Sequence, residues 1–191
     1  MNEMIRIEGQ DLEIARLDSQ AYYTLMEADA LPNHGRTELI EGVLVPMSPS
    51  SNPHGFILVD LTAALAPLAP SGLKGCIDVA ISFSEGLVLA PDLAFVPKQY
   101  KTEVIPGREI ALIIEVSVSS IGHDLNLKSQ IYGAQGVPHY WVVDVDSRVT
   151  HVHTSPGAEG YGSAQQVSWD EPIAPTFAPD AKLVFSETFE N

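Results

Sequence analysis

Three features of this chain could serve one reaction: two acids set in apolar strands and a helix that carries a lysine. Glu115 lies inside "ALIIEVSVSS", where four apolar residues lead into the acid and Val116, Ser117 and Val118 follow it. A carboxylate in such a strand is costly to desolvate unless something pairs with it. Asp92 stands after a proline in "LVLAPDLAFV", 23 positions earlier. In "HDLNLKSQIY", Asp124, Lys128 and Tyr132 recur at every fourth position and so line one side of a helix. Leu127, Ile131 and Ala134 take a neighbouring face, the one expected against a sheet. Two acids projecting from adjacent strands repel, and each raises the other's pKa. A divalent cation removes that penalty, and oxygen donors suit Mg2+ or Mn2+. A lysine beside it can orient a water and offset charge developing on a phosphoryl group. Acid, acid and ammonium around a metal are therefore a kit for hydrolysing a phosphodiester. A plainer account uses the same residues without a metal. Glu115 then pairs with Lys128 or an arginine, Asp92 is a turn acid, Asp124 is the i−4 partner of a solvated Lys128, and Tyr132 is packing.

The elements that must position these groups can be read from local pattern. Leu17 to Ala30 predicts a short amphipathic helix capped by Asp18 or Ser19. "RTELIEGVLVPMSP" predicts a β-hairpin turning at Glu41-Gly42, and Pro53 to Leu68 a second helix begun near Asn52-Pro53. "GCIDVAISFSEG" alternates as one strand, and "LVLAPDLAFV" reads as another that Pro91-Asp92 interrupts. Lys98 to Arg108 reads as a surface loop. The strand of Glu115, a helix stopped by Gly136 and Pro138, and the strand "HYWVVDVD" form a crossover from Leu112 to Val143. "RVTHVH" pairs back on it, with His151 and His153 expected as exposed strand residues. After Thr154 comes a Gly/Pro/Ser/Gln-rich extension with short extended pieces. The order predicts one α/β domain over 1–191, a central mixed sheet covered by helices, with its core from about 19 to 154.

Composition narrows the classes. Apolar residues make up 45% of the 191 positions, enough for a folded core. One cysteine, Cys76, excludes an internal disulfide and a multi-cysteine zinc site. The first residues lack a signal peptide's apolar core and no apolar run approaches a bilayer span, so a cytoplasmic protein is the expectation. The net charge of −15 repels polyanions, so a nucleic-acid partner would need a metal ion or a local basic patch. Arg36, Lys74, Lys98, Lys101 and Arg108 are the candidates for backbone contacts.

"TELIEGVLVPMSP", "APDLAFV", "IIEVSVSS" and "HDLNLKSQIYGAQGVPHYWVVD", in this order and spacing, resemble the Uma-type family of predicted restriction endonucleases, within the PD-(D/E)XK nuclease superfamily. The match runs from about Ser19 to about Thr154. The resemblance implies a restriction-endonuclease-like α/β fold with Mg2+ or Mn2+ held by Asp92, Glu115 and the carbonyl of Val116. Ser117 occupies the position where the superfamily usually has its lysine; in the Uma-type pattern a helix lysine, here Lys128, replaces it. Glu41 matches the acid of the family's hairpin and would add a carboxylate or hold a water. His54 matches a recurrent histidine without an assigned role. The implied activity is metal-dependent endonuclease cleavage of nucleic acid, DNA first, by a homodimer. Against it stands a catalytically inactive regulatory or assembly module on the same fold, which the net charge of −15 and Ser117 both favour. A hydrolase of smaller phosphoesters is a third option, without a nucleotide-binding fingerprint to support it.

Overall fold

The computed structural model describes residues 4–100 and 104–189; Lys101 lies outside them. Strands β1 (Met4–Ile7) and β2 (Gln10–Glu13) form a hairpin ahead of helix α1 (Ser19–Glu27). Asp18 caps α1, accepting the Ala21 amide at 2.7 Å. Strands β3 (Thr37–Ile40) and β4 (Val43–Pro46) then turn at Glu41 and Gly42, whose φ values of 50° and 76° suit a tight two-residue hairpin turn. Gly42 is needed twice over, since a Cβ there would meet the Arg16 Cβ at 2.6 Å. Helix α2 (Asn52–Leu65) starts at a Ser51 cap with Pro53 in its first turn.

The next four strands, β5 (Leu73–Ile77), β6 (Ile81–Ser84), β7 (Leu87–Leu89) and β8 (Leu93–Pro97), overturn the expectation of two long strands in one sheet. β5 and β8 belong to a six-stranded sheet, whereas β6 and β7 join β3 and β4 in a separate four-stranded one. The chain crosses between sheets at residues 78–80 and returns at 90–92, and the two crossings are tied by the Asp78 amide donating to the Asp92 carbonyl at 3.2 Å. Pro91-Asp92 is thus a passage between sheets, where the ladder must stop.

Strand β9 (Leu112–Ser117) lies between β8 and β10 (His139–Asp144), antiparallel to the first and parallel to the second. The connection is a helix in three pieces: α3 (Ile121–His123), a π-turn (Asp124–Lys128) and α4 (Ser129–Ala134). Gly136, at φ 78°, ends it and Pro138 prevents continuation. Both β9 and β10 are buried on two faces, as their unbroken apolar runs require. Leu112, Ile114 and Val116 meet α2, while Ile113, Tyr140 and Val142 meet the α3–α4 helix.

The C-terminal segment completes this core. Strands β11 (Val149–Thr154) and β12 (Gln165–Ser168) extend the large sheet. β13 (Pro172–Ile173), β14 (Leu183–Val184) and helix α5 (Phe185–Thr188) bring Phe185, 1% exposed, against Trp141. At Gly133 a Cβ would sit 2.4 Å from the Gly160 carbonyl carbon, so the extension lies directly on α4. No helix among the described residues is long and apolar enough to cross a membrane.

His153 is therefore not the exposed strand residue its alternation suggested. Tyr161 of the extension covers it, and the ring is buried between Tyr140 and Tyr161, with centroids 5.4 and 5.2 Å away. Neither ring nitrogen has a hydrogen-bond partner among the described residues. Burial, with the neighbouring His151, pushes its pKa down. A depressed histidine stays neutral in the fold while the unfolded chain takes up protons below about pH 6.5. Its stabilising contribution is complete above that value and is lost as pH falls toward the folded pKa. His139 and His151 are shifted the same way, and His54, raised by its bond to Asp92, the opposite way. Thermal melts from pH 8 to pH 5 should show the wild-type Tm falling further than that of His153→Phe; parallel curves would contradict this.

Candidate active site

The site lies where β8 is missing beside β9. β8 begins at Leu93, opposite Ile114, so beyond Ile114 the edge of β9 facing β8 has no strand partner. On the other edge, the Ser117 carbonyl accepts the Val145 amide at 3.0 Å. Main-chain groups alternate along a strand, which turns the amide and carbonyl of Val116 toward the open side. Asp92 stands there, and its Oδ2 accepts the Val116 amide at 2.7 Å. The Asp92 amide points back to Glu115 Oε2 at 3.4 Å, a long contact. The two acids thus meet at the open edge of β9, each carboxylate accepting a main-chain amide from the other's segment.

Each acid also has a cationic or ionisable partner. Lys128 Nζ is 2.8 Å from Glu115 Oε1, to which the Tyr132 hydroxyl also donates at 3.0 Å. His54, from the first turn of α2, places Nε2 2.9 Å from Asp92 Oδ2. Protein side chains and backbone amides therefore already partner both acids. Charge still runs negative, because Glu38, Asp92, Glu115 and Asp124 share one cavity of about 510 Å3 with Lys128 and a rim Arg36. Arg36 is in turn 3.2 Å from Asp78.

Burial drives the Glu115 carboxyl well above its ordinary range; Lys128 pulls it down, while Asp92 and Asp124 push it up again. Burial alone would lower Lys128, but Glu115 and then Glu38 outweigh it and leave the ammonium above its usual range. Lys128 is held as a cation. It is suited to donating hydrogen bonds, not to taking a proton.

Of the expected site residues, Asp92, Glu115, Val116 and Lys128 come together. Glu41 does not. It sits exposed in the hairpin turn, its carbonyl taken by the Arg16 guanidinium, and borders a different groove. Its place in the cavity belongs to Glu38, 3% exposed on β3, whose Oε1 accepts the Ala90 amide at 3.1 Å and lies 3.3 Å from Lys128 Nζ. β3 is paired on both sides, so its alternation aims Glu38 inward while the turn releases Glu41 to water. The acid that begins "ELI", the one lying in the strand, was the legible signal. Tyr132 bonds Glu115 as well as packing, and Asp124 accepts Ser120 Oγ at 2.6 Å where an ion pair with Lys128 was expected.

A hard cation could find oxygen donors here in the Asp92 carboxylate, Glu115 Oε2 and the Val116 carbonyl. Among the described residues Oε2 has only the long contact from Asp92, which leaves it available. Among the described residues no three His, Cys, Asp or Glu side chains form a metal-binding group, so the main-chain oxygen would be essential to such a set.

A family model named Uma2, described as "Putative restriction endonuclease", matches residues 10–184. A crystal structure of a putative nuclease belonging to DUF820, from Anabaena variabilis, is similar with a TM-score of 0.63 and 15% identity. The match covers 80% of this chain and 89% of that one, a likeness that supports the restriction-endonuclease-like fold. No curated protein matches the chain.

Proposed function

The chain belongs to this Uma2 family, and on that footing we propose that it is a metal-dependent endonuclease cleaving phosphodiester bonds in nucleic acid, with DNA as substrate. The observation carrying this reading is the convergence of Asp92, Glu115 and the Val116 carbonyl at an open strand edge, with the ammonium of Lys128 on Glu115. Asp92, Glu115 and Val116 would hold Mg2+ or Mn2+, which supplies Lewis-acid polarisation of the phosphate and a more acidic bound water. Lys128 orients the attacking water and faces the charge developing on the phosphoryl oxygens. Tyr132 fixes the Glu115 carboxylate, and Glu38 restrains the ammonium as its second carboxylate partner. Duplex cleavage would take two copies, one for each strand, which sedimentation with and without DNA would read.

The direct test incubates pure protein with plasmid and single-stranded DNA in Mg2+ or Mn2+. Cleavage that Asp92→Asn and Lys128→Ala abolish supports the reading; no cleavage, or cleavage indifferent to both, ends it. Glu38→Gln should reduce the rate about tenfold or more by loosening Lys128, while Glu41→Gln should leave it within about twofold. Equal effects of the two would put the wrong acid in the site.

The second reading, an inactive regulatory or assembly module, is favoured by the net charge of −15 and by the pairing of both cleft cations, Lys128 with Glu115 and Arg36 with Asp78. It expects weak Mn2+ binding in calorimetry and no gel shift with DNA near physiological salt.

A further inference from the structure

Lys128 reaches its two carboxylates from an unusual backbone. π-turns are rare in helices and recur at functional sites. An irregular backbone persists where its surroundings over-determine it. Here the Ser129 amide reaches back to the Asp124 carbonyl, five residues earlier, and also to the Asn126 carbonyl. The wide turn admits one extra residue, which puts the helix on its two sides out of phase by about 100°. Ser120 anchors the near side through the Asp124 carboxylate, and Tyr132 anchors the far side through Glu115. Lys128 stands between them, so its aim depends on the turn keeping its shape.

Hydroxyl groups outside the regular ladder hold that shape. Ser129 Oγ donates to the Leu125 and Asn126 carbonyls at 2.6 and 3.0 Å. From the floor of the sheet, Tyr140 donates its hydroxyl to the Asp124 carbonyl at 3.0 Å. Tyr140 is fully buried, touches neither Asp92 nor Lys128 by any hydrogen bond, and is clamped by Tyr132, His153 and Tyr161. We infer that Tyr140 is a positioning residue for Lys128, its hydroxyl bracing the π-turn that aims the ammonium between Glu115 and Glu38. This deepens the nuclease reading, on which the catalytic use of Lys128 rests, but the brace itself requires neither metal nor substrate.

Tyr140→Phe keeps the ring and deletes only the bond. The readout is lysine acylation of the full-length, metal-free protein with acetic anhydride, mapped by mass spectrometry. Wild-type Lys128 should label far more slowly than exposed Lys74, Lys98 and Lys182. In Tyr140→Phe, Lys128 labelling should rise about tenfold with the other three unchanged, the factor one lost buried hydrogen bond makes in a local opening. Ser129→Ala should act in the same direction. Tyr161→Phe, which removes a hydroxyl bound to the Val137 carbonyl on the same stack, should not. Unchanged Lys128 labelling in both Tyr140→Phe and Ser129→Ala, or an equal rise in Tyr161→Phe, overturns the inference. In active protein, Tyr140→Phe should lower kcat with KM unchanged, and equal kcat values would likewise overturn it. Raised labelling in a protein that never cuts DNA leaves the brace standing and refutes the nuclease reading instead.

Discussion

Lys128→Ala should destabilise the fold by about 3–5 kcal/mol, the usual consequence of stripping one partner from a buried charge pair. The ammonium is 2.8 Å from Glu115 and 3.3 Å from Glu38, and all three residues are at most 5% exposed. Its removal leaves two carboxylates together without their shared cation. For a chain of this size the Tm should fall by roughly 6–20 °C. The sign with pH follows from the same charges. Burial already holds the Glu115 carboxyl above its unfolded pKa, and losing Lys128 removes the charge that pulls it down, so the penalty is full near neutrality and shrinks as acid protonates it. Melts of the variant and wild type should therefore converge toward pH 4. Lys128→Met combined with Glu115→Gln should regain part of the loss while cleavage stays abolished. A loss under about 1 kcal/mol would mean that the pair is effectively solvated.

The features legible beforehand were those set by local chemistry. The apolar runs of β9 and β10, the Asp18 cap, the turn at Glu41-Gly42 and the helix stop at Gly136 and Pro138 each depend on neighbours within a few residues. The missed features were decided at long range. Nothing in the alternation of "GCIDVAISFSEG" says that Cys76 and Phe83 enter different sheets, because period two is the same in either. His153 is buried by Tyr161, from a tail too weakly patterned to read as a cover. The π-turn left no trace either: Asp124, Lys128 and Tyr132 fit a regular helix as well as the re-phased one. At the site, Asp92 and Glu115 were visible because acids are conspicuous in apolar strands. Glu38 was hidden by a second acid three residues on, in the more familiar turn position.

The largest effect on activity should come from Asp92→Asn. Asp92 holds the passage between the sheets together. Its carboxylate takes the Val116 amide at 2.7 Å and His54 at 2.9 Å, and its carbonyl takes the Asp78 amide at 3.2 Å. Alanine would orphan the Val116 amide, at a cost of about 1–3 kcal/mol, and confuse folding with chemistry. Asparagine keeps an oxygen for that amide and removes only the charge. Its Tm should stay within a few degrees of wild type, the weakened contact being that to His54. The donor set for a divalent cation would then be Glu115 and a main-chain carbonyl, too little charge to hold Mg2+ or Mn2+ against water. Single-turnover cleavage should drop by about 10^3-fold, matching the roughly 4 kcal/mol that metal polarisation of a phosphoryl group contributes. Mn2+ affinity by calorimetry should fall at least about a hundredfold in parallel. Cleavage at the wild-type rate by Asp92→Asn would remove the metal from the reaction. Lost Mn2+ binding in a chain whose wild type cuts nothing would leave a cation-binding module on a nuclease frame.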